Sequence, residues 1–330
     1  MSHGLVSAMA PDGAPEIVEG TDLAGVLLEL IGPDHLENGD VVVVTSKVVS
    51  KAEGRVVPGP REEHLADATA RVVARRGPTT IVRTHHGLTL AAAGIDNSNV
   101  EQGASVLLPL EPDASARRLR ADLQQRTGVV LGVVVTDTAG RAWREGQTDI
   151  AIGAAGLLVA QDFAGQLDGH GNELAVTAPA VADEIAGLAE LAQGKLGGRP
   201  FAVVRGRADL VLDAAADGPG AGALVRAEGG DLFGFGAREA VLRAVRGQSG
   251  DRAPFGAPMS AAELCVAVHE AIGLDAVITG DGEVSCVAGT GSHGVLDVLL
   301  FACGWERGPS PSTPDEGAQD TDLRFRPVSP

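Results

Sequence analysis

Three short apolar runs constrain what this chain can fold into more than any other feature. They cover residues 41–44, 131–135 and 201–204, and valine is their main component. Runs of four or five mostly β-branched residues that are bounded by turn residues predict buried strands. At 330 residues, the chain is long enough to bury one large core or two modest ones around such strands.

The segments between these runs predict helices and one further strand pair. Apolar residues recur at helical spacing over 23–31, where Thr21 or Asp22 is the expected cap. The other predicted elements are a charged helix over 61–78, a strand pair over 79–90 that turns at His85 and His86, and helices over 113–127 and 181–196. The charged helix is expected to cover the sheet with a solvated face.

Polar side chains follow two of the valine runs. Ser46 lies two residues after the first run and Lys51 soon afterwards, while Asp137 and Thr138 follow the second. Ligand sites often gather where buried strands end and loops begin. For any single strand the alternative stays open that a hydroxyl simply satisfies backbone groups at the strand end.

Two arginines lie just beyond the second run, at Arg141 and Arg144. Guanidinium groups bind carboxylates and phosphates in a bidentate manner, and carboxylate and hydroxyl oxygens suit hard divalent cations. Asp137 with these arginines therefore indicates a site for a metal-bound phosphate or carboxylate. On chemistry alone, we assign the arginines to an anionic group of the substrate.

A small-residue run at 91–95 leads to Asp96 and Asn99 in a loop rich in Asn and Ser. One interpretation is an Asx-turn, in which the aspartate only bonds its own backbone. The other is a metal ligand at Asp96, with Asn99 bonding the bound ligand. Together with Ser46 and Asp137, the second interpretation describes a divalent-metal nucleotide site.

A glycine-rich basic loop at 193–200 contains Gly194 and Lys195. Its spacing does not match a Walker motif, but exposed backbone amides and a lysine suit a phosphate. The chain contains neither a G-x-S-x-G pattern nor a cysteine with an evident base, so no covalent nucleophile is indicated. Catalysis by positioning and electrostatics is expected.

Charge and composition exclude several classes of partner. The net charge is −18 and aromatic residues make up 3% of the chain, which argues against nucleic acid and anionic membranes. No apolar run is long enough to span a bilayer, and the N-terminus lacks the features of a signal peptide. Three widely spaced cysteines are expected to be reduced thiols, so the chain is expected to be cytoplasmic.

The sequence predicts three regions. The first is a main domain over 1–246 that ends with a helix at 231–245, after a linker-like stretch rich in Gly and Ala at 214–230. A small module of unknown role follows over 247–307. Residues 308–330, rich in Pro, Ser and Asp, are expected to be a disordered tail.

Four motifs resemble those of the coenzyme F420-0:γ-glutamyl ligase family, in its actinobacterial form. They are GDVVVVTSKVVSKAEGR, AAAGIDNSNV, VVVTDTAGRAWREGQTDIAIG and AVADEIAGLAELAQGK, and the likeness is collinear over about residues 4–246. None of these motifs alone would suffice. The four together, in this order, make the resemblance specific.

The resemblance implies an α+β fold of mixed sheets with flanking helices, assembled as an intertwined homodimer. It also implies a GTP-dependent ligase that phosphorylates the terminal carboxylate of coenzyme F420-0 and joins L-glutamate to it, then adds further γ-linked glutamates. Two ions of Mg²⁺ or Mn²⁺ per site are implied, with stimulation by K⁺.

The resemblance also implies roles for individual residues. It implies metal ligands at Asp96, Asp137 and Thr138. It implies GTP contacts at Ala14, Pro15, Glu16, Ile17, Ser46, Lys51 and Asn99, and a further nucleotide contact in the loop of Gly194 and Lys195. Lys51 would offset charge on the leaving GDP.

Two departures from the family pattern bear on function. Ala14 stands where the family often has leucine, a change that leaves backbone contacts intact. The region after residue 251 is too short for the nitroreductase-like domain, of about 200 residues, that usually follows in this form. No bound FMN and no flavin-dependent reductase activity are therefore expected.

Other readings of the function stay open. A GTP- or ATP-dependent ligase for another carboxylate is one alternative, and a non-catalytic nucleotide-binding regulator is another. The number of added glutamates, and whether the dehydro form of F420-0 is the acceptor, are also open.

Overall fold

The computed structural model describes residues 4–227, 230–231, 233–309 and 320–328. The chain forms two compact units, Met1–Val225 and Arg226–Pro330. The break between them lies inside the stretch 214–230 that was predicted as a linker. Within the described residues, no helix is both long enough and apolar enough to cross a membrane.

The first unit contains ten strands and five α-helices among its described residues. In chain order they are β1 (Ser7–Met9), α1 (Leu23–Ile31), β2 (Val41–Thr45), α2 (Ser46–Ala52), β3 (Val56–Pro58), α3 (Arg61–His64), β4 (Thr69–Arg76), β5 (Thr79–Thr84), β6 (Thr89–Ala91), β7 (Ala104–Val106), α4 (Pro112–Thr127), β8 (Gly132–Arg141), β9 (Arg144–Ala155), α5 (Val181–Gln193) and β10 (Phe201–Arg205).

The three apolar runs form the centre of a five-stranded sheet, as predicted. Its strand order is β1-β10-β2-β8-β9, in which β2 and β8 are parallel and the other neighbours are antiparallel. Alternate residues of β2 face opposite sides of the sheet. Val42 and Val44 join a core with α1 and α4, while Val41 and Val43 join a core with α5. Burial on both faces explains why these strands are continuously apolar.

The helices of this unit follow the predicted bounds closely. The Asp22 side chain accepts a hydrogen bond from the Gly25 N–H, which caps α1 as expected. Helix α4 begins one residue before its predicted start and buries Leu119 and Leu123. Helix α5 ends at Gln193, three residues before the predicted end, because Gly194 adopts a positive φ of 63° there.

The predicted charged helix over 61–78 is wrong beyond its first turn. Only α3 is helical, and residues 69–76 form β4, which pairs with β5 in the sheet β4-β5-β6. The β-branched residues Thr69, Val72 and Val73 favour a strand, and two register irregularities let it follow its partner. The predicted strand pair over 79–90 is confirmed as β5 and β6.

The second predicted strand is longer than its apolar run. β8 continues to Arg141 and turns back into β9, so Asp137 and Thr138 lie within a strand instead of following one. β9 passes very close to the start of α4. A Cβ atom at Gly153 would lie 2.4 Å from the Pro112 carbonyl oxygen, which is why this position needs glycine.

The described residues of the second unit, taken by itself, form three α-helices and four strands, which make a sheet of their own. They are α6 (Ala237–Arg246), α7 (Ala261–Ile272), β11 (Ala276–Ile278), β12 (Val284–Gly289), α8 (His293–Ala302), β13 (Trp305–Arg307) and β14 (Asp320–Pro327). The sheet order is β11-β12-β14-β13, all antiparallel. The three cysteines are free thiols, and Cys286 and Cys303 are buried in this unit's core.

The predicted disordered tail is wrong for residues 320–327. They form β14, an inner strand of the sheet, because Leu323 and Phe325 alternate with polar residues and bury their side chains. Residues 310–319 and 329–330 lie outside the described residues. Helix α6, predicted as the end of the main domain, belongs to the second unit. A ligase domain over 1–246 stays a prediction.

Candidate active site

Asp96 and Asp137 line one small cavity in the first unit. Its volume is ≈ 20 Å³, room for about one water-sized group. Helix α2 contributes Ser46, Lys47 and Ser50 to its wall, and the end of β7 with the two leucines after it contributes apolar side chains. Segments far apart in sequence therefore bring two of the three predicted metal ligands together.

Ser46 connects helix α2 to strand β8. It is the first residue of the helix, it is buried, and its hydroxyl donates to Asp137 Oδ1 over 3.1 Å. Because β2 and β8 are parallel and adjacent, both strands deliver polar residues to the same edge of the sheet. This juxtaposition follows from the topology.

The loop at Asp96 contains the Asx-turn of the first interpretation, while the metal-ligand interpretation stays a prediction. The Ser98 N–H donates to Asp96 Oδ1 over 2.8 Å, which is the expected Asx-turn. At the same time Lys47 Nζ lies 2.6 Å from Asp96 Oδ2, so one carboxylate oxygen holds a cation. Asn99, in the same loop, has a left-handed φ of 55° and an exposed side chain.

The two carboxylates have opposite pKa shifts. Burial, aided by the negative charges of Asp149 and Asp96, raises the pKa of Asp137 to about 7 against hydrogen bonds from Ser46 and the Thr138 backbone. Burial also opposes the charge on Asp96, but the bonds from Lys47 and Ser98 lower its pKa overall. Among the described residues, no Lys or Arg side chain pairs with Asp137.

This environment fits a hard divalent cation. Carboxylate and hydroxyl oxygens are the ligands that Mg²⁺ and Mn²⁺ prefer, and a cation would compensate the charge that burial disfavours on Asp137. Among the described residues no group of three His, Cys, Asp or Glu side chains is placed to hold a metal. Two carboxylates supplemented by hydroxyls or phosphate oxygens would have to suffice.

Thr138 lies on the other face of β8, since successive residues of a strand alternate. Its hydroxyl donates to Asp149 Oδ1 over 2.7 Å and accepts from Lys195 Nζ over 2.8 Å. Lys195 also pairs with Glu190. Burial lowers the pKa of Lys195, but Glu190 and Asp149 raise it by more, so the pKa is raised overall. Thr138 and Lys195, both predicted site residues, are therefore in direct contact.

Lys51 and the predicted nucleotide turn are also joined. Lys51 is only 8% exposed, and its Nζ lies 2.6 Å from Oε1 of the exposed Glu16. The turn itself, residues 14–17, lies outside any helix or strand, and its last residue, Ile17, is buried in the core. One ion pair and one buried apolar side chain therefore hold this segment beside α2.

Arg141 and Arg144 do not reach the carboxylates. They pair with each other across the tip of the β8–β9 hairpin, and both are exposed. Four residues separate Arg141 from Asp137, which corresponds to about 13 Å along a strand. Arg141 donates to the Glu145 carbonyl over 3.0 Å. Gly194 ends helix α5, just before Lys195.

Sequence reasoning missed several groups of this site. Lys47 and Ser50 stand on the motif that was singled out, one residue from Ser46 and Lys51 respectively, but were not chosen. Asp149 was missed although it is buried, pairs with Thr138 across the hairpin and accepts from Thr136 as well. The available signal was a carboxylate directly before the apolar run 150–155 of β9.

Comparison with known proteins points to one family. A family model described as F420-0:Gamma-glutamyl ligase matches residues 13–63 and 58–206. A coenzyme F420:L-glutamate ligase from Archaeoglobus fulgidus is 39% identical over 222 residues, which is 61% of this chain and 88% of the relative. Proteins with that name from Methanothermobacter thermautotrophicus and Halobacterium salinarum are 36% and 42% identical, covering 61% and 60% of this chain and 89% and 86% of their own lengths.

Proposed function

This chain belongs to the F420-0:gamma-glutamyl ligase family, and from that premise we propose that it joins L-glutamate to coenzyme F420-0 or its dehydro form. It is an acid–amino-acid ligase in this proposal, and further glutamates are added through γ-linkages. The observation that carries it is the cavity lined by Asp96 and Asp137, whose walls lie in the region that the family model matches.

The proposed reaction uses GTP. The terminal carboxylate of the acceptor attacks the γ-phosphoryl group, which gives an acyl phosphate and GDP. The amine of glutamate then attacks the acyl carbon, so that an amide forms and inorganic phosphate leaves. A hard divalent cation held by Asp96 and Asp137 would neutralise phosphate charge during this chemistry.

The chain's own residues supply positioning and charge. Lys51 is buried beside the predicted nucleotide turn and is suited to offset negative charge on the leaving GDP. Ser46 orients the Asp137 carboxylate through its hydrogen bond. Lys195, on the other face of β8, supplies a second cation for phosphate, with Thr138 as the further proposed metal ligand.

The remaining parts of the proposal concern the acceptor and the assembly. Arg141 and Arg144, at an exposed hairpin tip, are suited to an anionic group of the long F420-0 molecule, at a distance from the reacting carboxylate. Asn99 contacts GTP, two divalent ions bind per site, and K⁺ stimulates the enzyme. We further propose an intertwined homodimer in the cytoplasm.

The test is an assay with F420-0, L-glutamate, GTP and Mn²⁺ that measures GDP release and product mass together. Mass increments of glutamate accompanied by GDP support the proposal, and their number gives the chain length. GDP without a glutamylated product would point to another carboxylate acceptor. Bound GTP without turnover would point to a regulator. Asp137→Asn is the matched inactive control, since it keeps the size of the side chain.

A further inference from the structure

Ser50 is a buried polar residue that the proposed reaction has not used. It lies on helix α2 one turn after Ser46 and is 1% exposed. Its hydroxyl oxygen has no hydrogen-bond partner among the described residues. Its backbone carbonyl is occupied, because it accepts from the Arg55 N–H over 2.8 Å.

A buried hydroxyl without a partner is unusual. Buried polar groups are almost always hydrogen-bonded in folded proteins, because burying a donor without an acceptor lowers the stability of the fold. The nearby buried serines follow this rule: Ser46 donates to Asp137, and Ser115 donates to Glu53 Oε1 over 2.5 Å. Ser50 therefore needs a partner that is not one of the described side chains.

The surroundings of Ser50 indicate that partner. Ser50 lines the same ≈ 20 Å³ cavity as Asp96 and Asp137. Residues four apart lie on one face of a helix, so Ser46 and Ser50 both face this space. A cavity of this size holds about one water, and the two carboxylates attract a cation to it.

We propose that Ser50 positions the divalent cation of the active site by donating a hydrogen bond to a water that the cation holds in this cavity. The inference rests on the proposed ligase function, and it names a residue that touches the ion's oxygen ligand and takes no part in bond making. Outer groups of this kind orient the inner ligands, and their loss typically weakens metal binding about 10- to 100-fold.

The proposal predicts an unusual pair of effects for Ser50→Ala. Because the buried hydroxyl makes no hydrogen bond to the described residues, its removal leaves the metal-free fold equally stable or slightly more stable. Mn²⁺ binding weakens at least about 10-fold. A serine with a structural role would behave in the opposite way. Ser115→Ala is the matched control, since its hydroxyl already has protein partners: it should lower the unfolding temperature and leave Mn²⁺ affinity unchanged.

The experiment titrates the full chain with Mn²⁺ and measures free Mn²⁺ by electron paramagnetic resonance. Thermal unfolding in EDTA is measured on the same samples. The expected result is weaker Mn²⁺ binding by Ser50→Ala with an unfolding temperature in EDTA at or above that of the wild type. In turnover assays, the Mn²⁺ concentration for half-maximal rate should rise, while the rate at saturating Mn²⁺ changes little.

The contrary outcomes are distinct. Equal Mn²⁺ affinity in wild type and Ser50→Ala overturns the role of Ser50 and leaves the ligase proposal intact. A large loss of stability of Ser50→Ala in EDTA assigns Ser50 to the fold and also overturns it. If the wild type binds no Mn²⁺, or binds it equally after Asp137→Asn, the metal site itself is refuted and the inference with it.

Discussion

Replacement of Asp137 by Asn should remove a pH dependence from the stability of the metal-free protein. The carboxyl ionises near 3.8 when unfolded and near 7 in the folded chain, because burial and two neighbouring carboxylates disfavour its charge. Between these pH values the folded state holds a proton that the unfolded state has lost. Stability contributed by the protonated form therefore declines as pH rises from about 4 to about 7.

The magnitude follows from the shift. One pKa unit is worth about 1.4 kcal/mol, so the ionised Asp137 costs the fold at most about 4 kcal/mol. About 3 kcal/mol of this cost develops between pH 5 and pH 8. Asn keeps the oxygen that accepts from Ser46 but does not titrate. Asp137→Asn should thus gain up to about 3 kcal/mol relative to the wild type over this range.

Urea unfolding in EDTA, followed by circular dichroism at several pH values, measures this difference. Asp96→Asn is the control, since burial raises the pKa of Asp96 but Lys47 and Ser98 lower it overall. The stability that Asp96 contributes is therefore lost only in acid, and the difference in stability between Asp96→Asn and the wild type should change little from pH 5 to 8. Excess Mn²⁺ should restore wild-type stability at pH 8. A stability difference for Asp137→Asn that does not change with pH would refute this reasoning.

Three further predictions follow from single features. Lys51→Met should lower kcat/KM for GTP about 100-fold, in line with loss of one preorganised charge, as measured by GDP release. Arg120→Leu should destabilise the first unit by about 3–5 kcal/mol in urea titrations, because this 2% exposed guanidinium bonds four carbonyls and the Asp217 carboxylate. Gly153→Ala should cost about 1–3 kcal/mol through its clash with Pro112, whereas Gly169→Ala, with open space around it, should be neutral.

Local patterns predicted the parts of the fold that depend on local preferences. The valine runs gave the central strands because both faces of β2 and β8 are buried. Helix α1 was predicted to the residue, since its cap and its apolar spacing agree. The helix predicted over 61–78 was wrong because pairing with β5 makes residues 69–76 a strand. The charged residues of this strand follow a pattern that is also compatible with the solvent-exposed face of a helix. Strand β14 was missed because two buried residues, Leu323 and Phe325, follow a stretch rich in Pro and Ser.

For the site, the sequence indicated which residue types matter but not which face each would occupy. Asp137 and Thr138 are adjacent and were assigned to one metal set. In the strand, Asp137 faces the side of α2, whereas Thr138 faces α5 and contacts Lys195. Ser50 was overlooked since serine in a helix carries no pattern of its own. It is of interest only because its buried hydroxyl has no hydrogen-bond partner among the described residues.

A bulge in the β8–β9 hairpin decides which side of the sheet receives Asp149. Val135 pairs with Gly153, but Thr136 pairs with Ala151, so Ile152 is an extra residue in β9. In a regular ladder Thr138 would lie opposite Ile150, and Asp149 would face the same side as Asp137, because a shift of one residue exchanges the faces of a strand. The bulge instead places Asp149 opposite Thr138, where it accepts from two threonines and pairs with Lys195. Two carboxylates that would otherwise repel each other in one cavity are thus separated by the sheet, and each face retains its own lysine, Lys47 or Lys195. Bulges often redirect side chains beside active sites. The position of this bulge cannot be read from the residue pattern, so the division of the site between the two faces of the sheet is visible only in the strand register.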